Sequence, residues 1–174
     1  FQWVIIILEK YWPMFLRGAG VTLLIAITGT IVGFIIGLAI GVIRTIPSDP
    51  KDSVVKRVLR KIYTFLLVTY IEVFRGTPMI VQAMVIFYGI ATVFALKLPV
   101  IQAGILIVSI NTGAYLAEIV RGGILSVDKG QFEAAHSLGM THTQTMLNIV
   151  LPQAIRNILP AIGNEFVINI KDTS

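Results

Sequence analysis

Apolar residues run without a charge from Val21 to Ile43, 23 positions in all. As a helix rising ~1.5 Å per residue this run is about 34 Å long, against a hydrocarbon core of ~30 Å. The pattern predicts a membrane-crossing helix. The 18 positions from Arg44 to Lys61 reverse it, with Arg44, Lys51, Lys56, Arg57, Arg60 and Lys61 against Asp49 and Asp52, and with Pro47 and Pro50 breaking the helix. Ile62 to Ile90 is apolar again but longer than one upright span needs, and Glu72, Arg75, Gly76 and Pro78 sit in its middle. It reads as one tilted or broken helix returning across the bilayer. Thr92 to Pro99, containing Lys97, makes a short turn, and Leu98 to Ala117 gives a third uncharged span. From Glu118 to about Asn148 the chain is polar and holds both histidines. Ile149 to Ile170 is a fourth apolar stretch, interrupted by Pro152, Arg156, Pro160 and Glu165, and it stops at Lys171-Asp172-Thr173-Ser174.

Composition agrees with lipid as the main solvent: 56% of the 174 residues are hydrophobic and 13% are charged, with mean hydropathy +0.86. A core this small cannot hide that much apolar surface from water. The chain has no cysteine, which excludes a disulfide scaffold, thiolate catalysis and a cysteine zinc site. The net charge of +5 is best read by location. The positive-inside bias makes the Arg44–Lys61 loop cytoplasmic and puts the N-terminus outside. Membrane lipid, not nucleic acid, is the expected surrounding. The alternative for the basic run is a solvated helix face, because Val54 to Leu59 is weakly amphipathic. The opening segment, with Trp3, Tyr11 and Trp12 near Lys10 and Arg17, predicts an interfacial helix on the outer face. It lacks the basic start and cleavage site of a signal peptide. Residues 1–174 read as one transmembrane domain, all-α, with further sequence expected beyond Phe1 and Ser174.

Gly29, Gly33, Gly37 and Gly41 recur every four residues and form one stripe on the first span. Glycine there lets another backbone approach, a main source of helix association in lipid. The polar stretch predicts two short helices: Gln131 to Leu138, a break at Gly139, and a second helix capped by Thr141 or Thr143, with Pro152 near the start of the following span. Such a compact knob, with Ala134 and Ala135 permitting close contact, suits a groove on a cytosolic partner; otherwise it is a connecting loop.

The same stretch reads Glu133-Ala134-Ala135, three residues, Gly139, nine residues, then Ile149-Val150-Leu151-Pro152. This resembles the EAA signature of bacterial ABC importer permeases at every fixed position. Glu72-Val73-Phe74-Arg75-Gly76-Thr77-Pro78 and Lys171-Asp172-Thr173-Ser174 resemble segments of the polar amino acid branch, and the likeness covers roughly Gly18 to Ser174. The resemblance implies the MetI-like permease fold, with four of five spans present and the fifth following Ser174. It implies location in the bacterial plasma (inner) membrane and pairing with a second permease subunit, the same chain or a related one. Two ATP-binding subunits carrying ATP and Mg, and an extracellular binding protein that delivers a polar amino acid, complete the implied assembly. The family's coupling element falls on residues 131–148, which makes Glu133, Ala134, Ala135 and Gly139 the expected ATPase contacts. No cofactor is expected in this chain, since no glycine-rich loop ending in Lys-Ser or Lys-Thr appears, and ATP hydrolysis is assigned to the partner.

Ionisable groups at membrane depth are costly and face a cavity or a partner. Glu165, Asn169 and Asp172 are spaced i, i+4, i+7 and share one helical face. Arg75 precedes Gly76-Thr77-Pro78, whose proline opens the hydrogen-bond ladder and whose glycine allows close approach. An amino acid zwitterion needs an anionic partner for its ammonium and donors for its carboxylate, and these segments supply both. Arg75, Gly76, Thr77, Pro78, Glu165, Asn169 and Asp172 are therefore the expected substrate-binding residues. The structural alternative pairs Arg75 with Glu72, and Lys171 with Asp172 or Glu165, to neutralise buried charge. His136 and His142, six residues apart, do not share a helix face suited to a metal, and Glu118 with Arg121 at i, i+3 predicts a local ion pair. An intramembrane enzyme has no supporting motif: there is no His-Glu-x-x-His and no serine in a glycine elbow. An ion-gradient transporter or channel without an ATPase is the remaining alternative.

Overall fold

The apolar run at the start of the chain forms one helix, α1 (Gln2–Ile43), of 42 residues in the computed structural model, which describes residues 2–46, 53–95 and 98–174. Pro13 lies inside α1 without ending it. A proline removes one backbone bond, and the long apolar helix on either side carries the chain through. The separate interfacial helix expected from Trp3, Tyr11 and Trp12 is thus replaced by a single rod, about 63 Å long at ~1.5 Å per residue, with Trp3 and Trp12 exposed near its free end. The prolines and charges expected to break the next loop, Pro47, Asp49, Pro50, Lys51 and Asp52, lie outside the described residues, as does Lys97.

Ser53 opens α2 (Val54–Gly76), its side chain accepting from the Lys56 backbone N–H. After Thr77-Pro78 the chain restarts as α3 (Met79–Phe94), and the two helices meet at 113°. The expected tilted or broken second span is a sharply bent pair. Ala95, in the left-handed region at φ 54°, ends α3. The third span, α4 (Val100–Leu125), continues past Ala117 and carries Glu118 and Arg121 within its last two turns. By length and apolar content α1 and α4 can each cross a bilayer, and the bent pair makes a third crossing if it is one broken span and not a re-entrant loop. The fourth apolar stretch forms α7 (Leu151–Thr173), of 23 residues, which does not reach the apolar content of those crossings and buries Glu165 and Asn169 on its inner side.

Helices α1 and α4 form the spine. A Cβ placed on Gly29, Gly33, Gly37 or Gly41 would stand 2.5–2.8 Å from Val108, Thr112, Leu116 or Val120 respectively, closer than real side chains pack. Both residue series ascend together, so the helices run parallel, and the glycine stripe is the surface into which α4 settles. Helix α7 runs the other way: its Asn169 meets Thr112 while its Ile158 lies on Gly123. At the end shared by α1 and α4, Glu118 accepts hydrogen bonds from Arg44 Nη1 at 2.5 Å and from Arg121 Nε at 2.7 Å. The expected Glu118–Arg121 pair is present, and Arg44 extends it across to α1.

Beyond α4 the polar stretch folds as α5 (Lys129–Ser137) and α6 (His142–Thr145), followed by a π-helical turn (Met146–Val150) that runs directly into α7. The first knob helix begins two residues earlier than expected because Asp128 caps it, accepting from Gly130 N at 2.6 Å. The second helix does not stop before the fourth span. Pro152 has no N–H to give the Asn148 carbonyl and its ring crowds that carbonyl. The backbone widens instead, with Leu151 N–H donating to Met146 O, five residues back. An apolar cluster of Val120, Ile124, Val127, Met146, Val150, Ala154 and Ile158, flanked by Phe132 from α5 and Phe34 and Leu38 from α1, seats the knob on the helix ends.

Candidate functional site

Two places concentrate the chemistry. The first surrounds the α2–α3 break. Pro78 cannot donate to Phe74 O, four residues before it, so the bend frees that carbonyl together with its neighbours. In lipid these groups need partners from other side chains. Gln82 Nε2 lies 2.9 Å from Phe74 O, Thr77 O and Thr77 Oγ1. Asn111 Nδ2 donates to Gln82 Oε1 at 2.9 Å and to Phe74 O at 3.2 Å, and the Thr77 hydroxyl donates to Val73 O at 2.8 Å. The broken backbone is thereby held open by two buried amides from α3 and α4.

Beside this break lies a cavity of ≈ 180 Å³ lined by Thr77, Pro78, Met79, Asn111, Tyr115, Glu165, Ile168 and Asp172. Four of the residues expected from the sequence, Thr77, Pro78, Glu165 and Asp172, come together here from distant parts of the chain. Glu165 is 6% exposed. Arg75 stands just outside, its guanidinium 5.5 Å from the Tyr115 ring centroid, while Tyr115 OH donates to Arg75 O at 3.4 Å. Gly76 is open, with no atom within 4 Å of a Cβ built there. Glu118 is bridged to Arg44 and Arg121, but among the described residues no bridge joins Arg75 to Glu72, or Lys171 to Asp172 or Glu165. A second cavity of ≈ 450 Å³, mostly apolar, shares Pro78, Met79 and Asp172 with the first and extends along Ile25, Gly104 and Val108.

Asn169 behaves differently from its two neighbours on the same face. It is 1% exposed and does not line the cavity. Its Nδ2 donates to Thr30 Oγ1 and Thr112 Oγ1, both at 2.9 Å, which ties α7 to α1 and α4. Periodicity places these three residues on one side of α7, but it does not say that the side is shared between a cavity and a helix interface. Gln82, Asn111 and Tyr115 were missed by reasoning that followed ionisable groups. The available signal was an amide inside each of two otherwise apolar spans.

The second place is the knob. Gly139, at φ +75°, closes α5: Met140 N–H bonds to Ala135 O at 3.1 Å and Gly139 N–H to His136 O at 2.9 Å, the paired bonds by which a left-handed glycine satisfies the last carbonyls of a helix. Thr141 then caps α6 in a reciprocal box with Gln144. Glu133, Ala134 and Gly139 are exposed, and Leu138 beside them is 81% exposed. Ala135, expected at a partner contact, is completely buried inside the knob: it faces the chain's own core, so its small size serves internal packing. His142 Nε2 is buried without a hydrogen-bond partner. Among the described residues no three of His, Asp and Glu converge to hold a metal ion.

Comparison with known proteins gives the chain a family context. Residues 53–174 match the family model described as "binding-protein-dependent transport system inner membrane component". The chain is 38% identical over 163 residues to the glutamine transport system permease protein GlnP of Escherichia coli strain K12, covering 93% of this chain and 69% of that protein. It is 37% identical over 166 residues to the L-cystine transport system permease protein TcyB of Bacillus subtilis, covering 95% and 65%. A solved amino acid ABC transporter, described with histidines, superposes with TM-score 0.78 at 40% identity over 95% of this chain and 72% of that one.

Proposed function

The chain belongs to the binding-protein-dependent transport system inner membrane components, and from that membership we propose that it is a transmembrane permease subunit of an ATP-driven importer that moves polar amino acids across the bacterial plasma membrane by alternating access. The observation that carries this reading is the knob, α5 and α6, which presents Glu133, Ala134, Leu138 and Gly139 on a rigid frame at the shared end of α1 and α4. Its turn is fixed on one side by the Gly139 closure and on the other by the Thr141–Gln144 box. A partner that pushes on such a knob moves α7 as a unit, because the π turn leaves no hinge between them and Met146, Val150 and Ala154 share one apolar cluster.

In this reading residues 1–174 form one transmembrane permease domain, with the knob in the cytoplasm and the N-terminus outside. Two ATP-binding subunits, carrying ATP and Mg, grip the knob of this chain and of a second permease subunit, and an external binding protein delivers the substrate. Glu165 and Asp172 receive the substrate ammonium, with Thr77, Asn111 and Tyr115 as further polar contacts and Pro78 shaping the cavity. Arg75 and Gly76 flank its mouth, where the guanidinium is placed to receive a carboxylate once it leaves Tyr115. Asn169 sets the position of α7 and leaves direct contact to its neighbours one turn away.

Uptake of labelled amino acids into proteoliposomes holding the full permease–ATPase complex and its binding protein tests the proposal. Accumulation that requires enclosed ATP and survives an ionophore is expected. Accumulation abolished by the ionophore and indifferent to ATP would overturn it in favour of a gradient-driven carrier.

A further inference from the structure

The first two turns of α2 are left unused by the transport reading. At 100° per residue, Lys56, Arg57, Arg60 and Lys61 fall within an arc of about 140°, and Val54, Val55, Val58, Leu59 and Ile62 fill the opposite side. The apolar arc is open, with Val54 72% and Val55 68% exposed, and Lys56, Arg57 and Lys61 are exposed on the cationic arc. From Arg44 to Lys61 the chain carries six basic residues against Asp49 and Asp52, so the segment is net cationic.

Position along the chain fixes the depth of this segment. Helix α2 begins shortly after α1 ends, on the side of the molecule where Arg44 meets Glu118 and where α4 leads into the knob. Past Lys61 the helix turns apolar and enters its crossing, so the amphipathic turns sit where the span leaves the bilayer. A helix with an exposed apolar arc and an exposed cationic arc at that depth matches a surface that offers hydrocarbon and negative charge together. An acidic protein surface offers the charge without the hydrocarbon.

We propose that Val54–Ile62 is a binding surface for anionic phospholipid in the leaflet on the knob side. Lys56, Arg57, Arg60 and Lys61 engage the headgroup phosphates, and Val54, Val55, Val58 and Leu59 enter the acyl boundary. The inference is independent of which molecule is transported.

The test uses the full permease–ATPase complex in nanodiscs of phosphatidylcholine with or without phosphatidylglycerol, with retained lipid identified by native mass spectrometry. Wild-type complex is expected to retain phosphatidylglycerol selectively, and raising salt is expected to weaken that retention. The combined Lys56→Gln, Arg57→Gln, Arg60→Gln, Lys61→Gln variant should hold it on the order of a thousandfold more weakly, while the charge-keeping Lys56→Arg, Arg57→Lys, Arg60→Lys, Lys61→Arg variant behaves as wild type. Wild-type retention indifferent to phosphatidylglycerol and to salt would overturn the proposal even if the glutamine variant does not fold. A glutamine variant that keeps the lipid but loses the ATP-binding subunits would overturn it too, making the surface a protein dock.

Discussion

Asn169 and Thr30 are separated by 139 residues of chain, yet Nδ2 of one donates to Oγ1 of the other at 2.9 Å in the buried seam between α7 and α1. Thr112 of α4 joins them. Replacing Asn169 by Leu leaves two buried hydroxyls to find other partners, at a cost of ~1–3 kcal/mol. The melting temperature of the purified protein should therefore fall by several degrees. Thr112→Val should fall similarly, and the double variant by less than the sum, because both remove the same hydrogen bond. An Asn169→Leu protein as stable as wild type would show that the seam does not hold α7 in place.

Glu165 and Asp172 line the cavity that Asn169 avoids. Glu165→Gln and Asp172→Asn are expected to raise the substrate concentration that half-stimulates ATP hydrolysis by the complex, each by tenfold or more, the loss of a charge-assisted contact being worth ~1.5–3 kcal/mol. Unchanged substrate dependence in both variants would take these carboxyls out of the site. Asn169→Leu should change stability first and leave that concentration nearly alone.

The glycines of α1 divide sharply by position. Gly37 has Leu116 and Ala117 within 2.9 Å of where its Cβ would lie, and Gly20 has nothing within 4 Å. Gly37→Ala should cost ~1–3 kcal/mol through overpacking. Gly20→Ala should be neutral or gain ~0.5–1 kcal/mol from lower chain entropy in the unfolded state. Thermal melts of the two variants side by side check the contrast; equal shifts would show that α1 and α4 do not meet along this stripe.

How much of this was legible in the sequence depends on what kind of signal each feature leaves. The Gly29–Gly41 stripe and the Gly139 break are written in residue type, because glycine is the residue best suited to a close backbone contact or a left-handed turn, and both appear where the spacing puts them. The partner of the stripe is not written anywhere: Val108, Thr112, Leu116 and Val120 look like any span. Pro78 announces the break between α2 and α3, but Gln82 and Asn111, which satisfy it, are ordinary amides until the bend brings them onto Phe74 O. Pro13 gives the same local signal as Pro78 and has the opposite outcome, since α1 continues through it. Ala135 carries the matched signature yet faces inward, because a motif fixes residue types and leaves the direction of each to the core.

Breaking the α2–α3 corner gives a further prediction. Pro78→Ala restores an N–H that can reach Phe74 O and favours a straighter helix, so the variant should melt no lower than wild type while transport falls by an order of magnitude or more, since the cavity wall at Thr77 and Pro78 is displaced. Gln82→Leu should do the reverse to stability, lowering it by ~1–3 kcal/mol through unpaired carbonyls. Full transport by Pro78→Ala would show that the bend is dispensable.

An ATP-driven importer requires the knob to be seated in an ATP-hydrolysing partner. Because the chain has no cysteine of its own, a single Leu138→Cys substitution places one thiol on the highly exposed tip of the knob, and a heterobifunctional cross-linker can then report what lies beside it in the assembled complex. The expected result is a cross-link to the ATP-binding subunit, with no labelling of the introduced thiol by a membrane-impermeant maleimide added to intact cells. Labelling from outside, with no cross-link to that subunit, would contradict it.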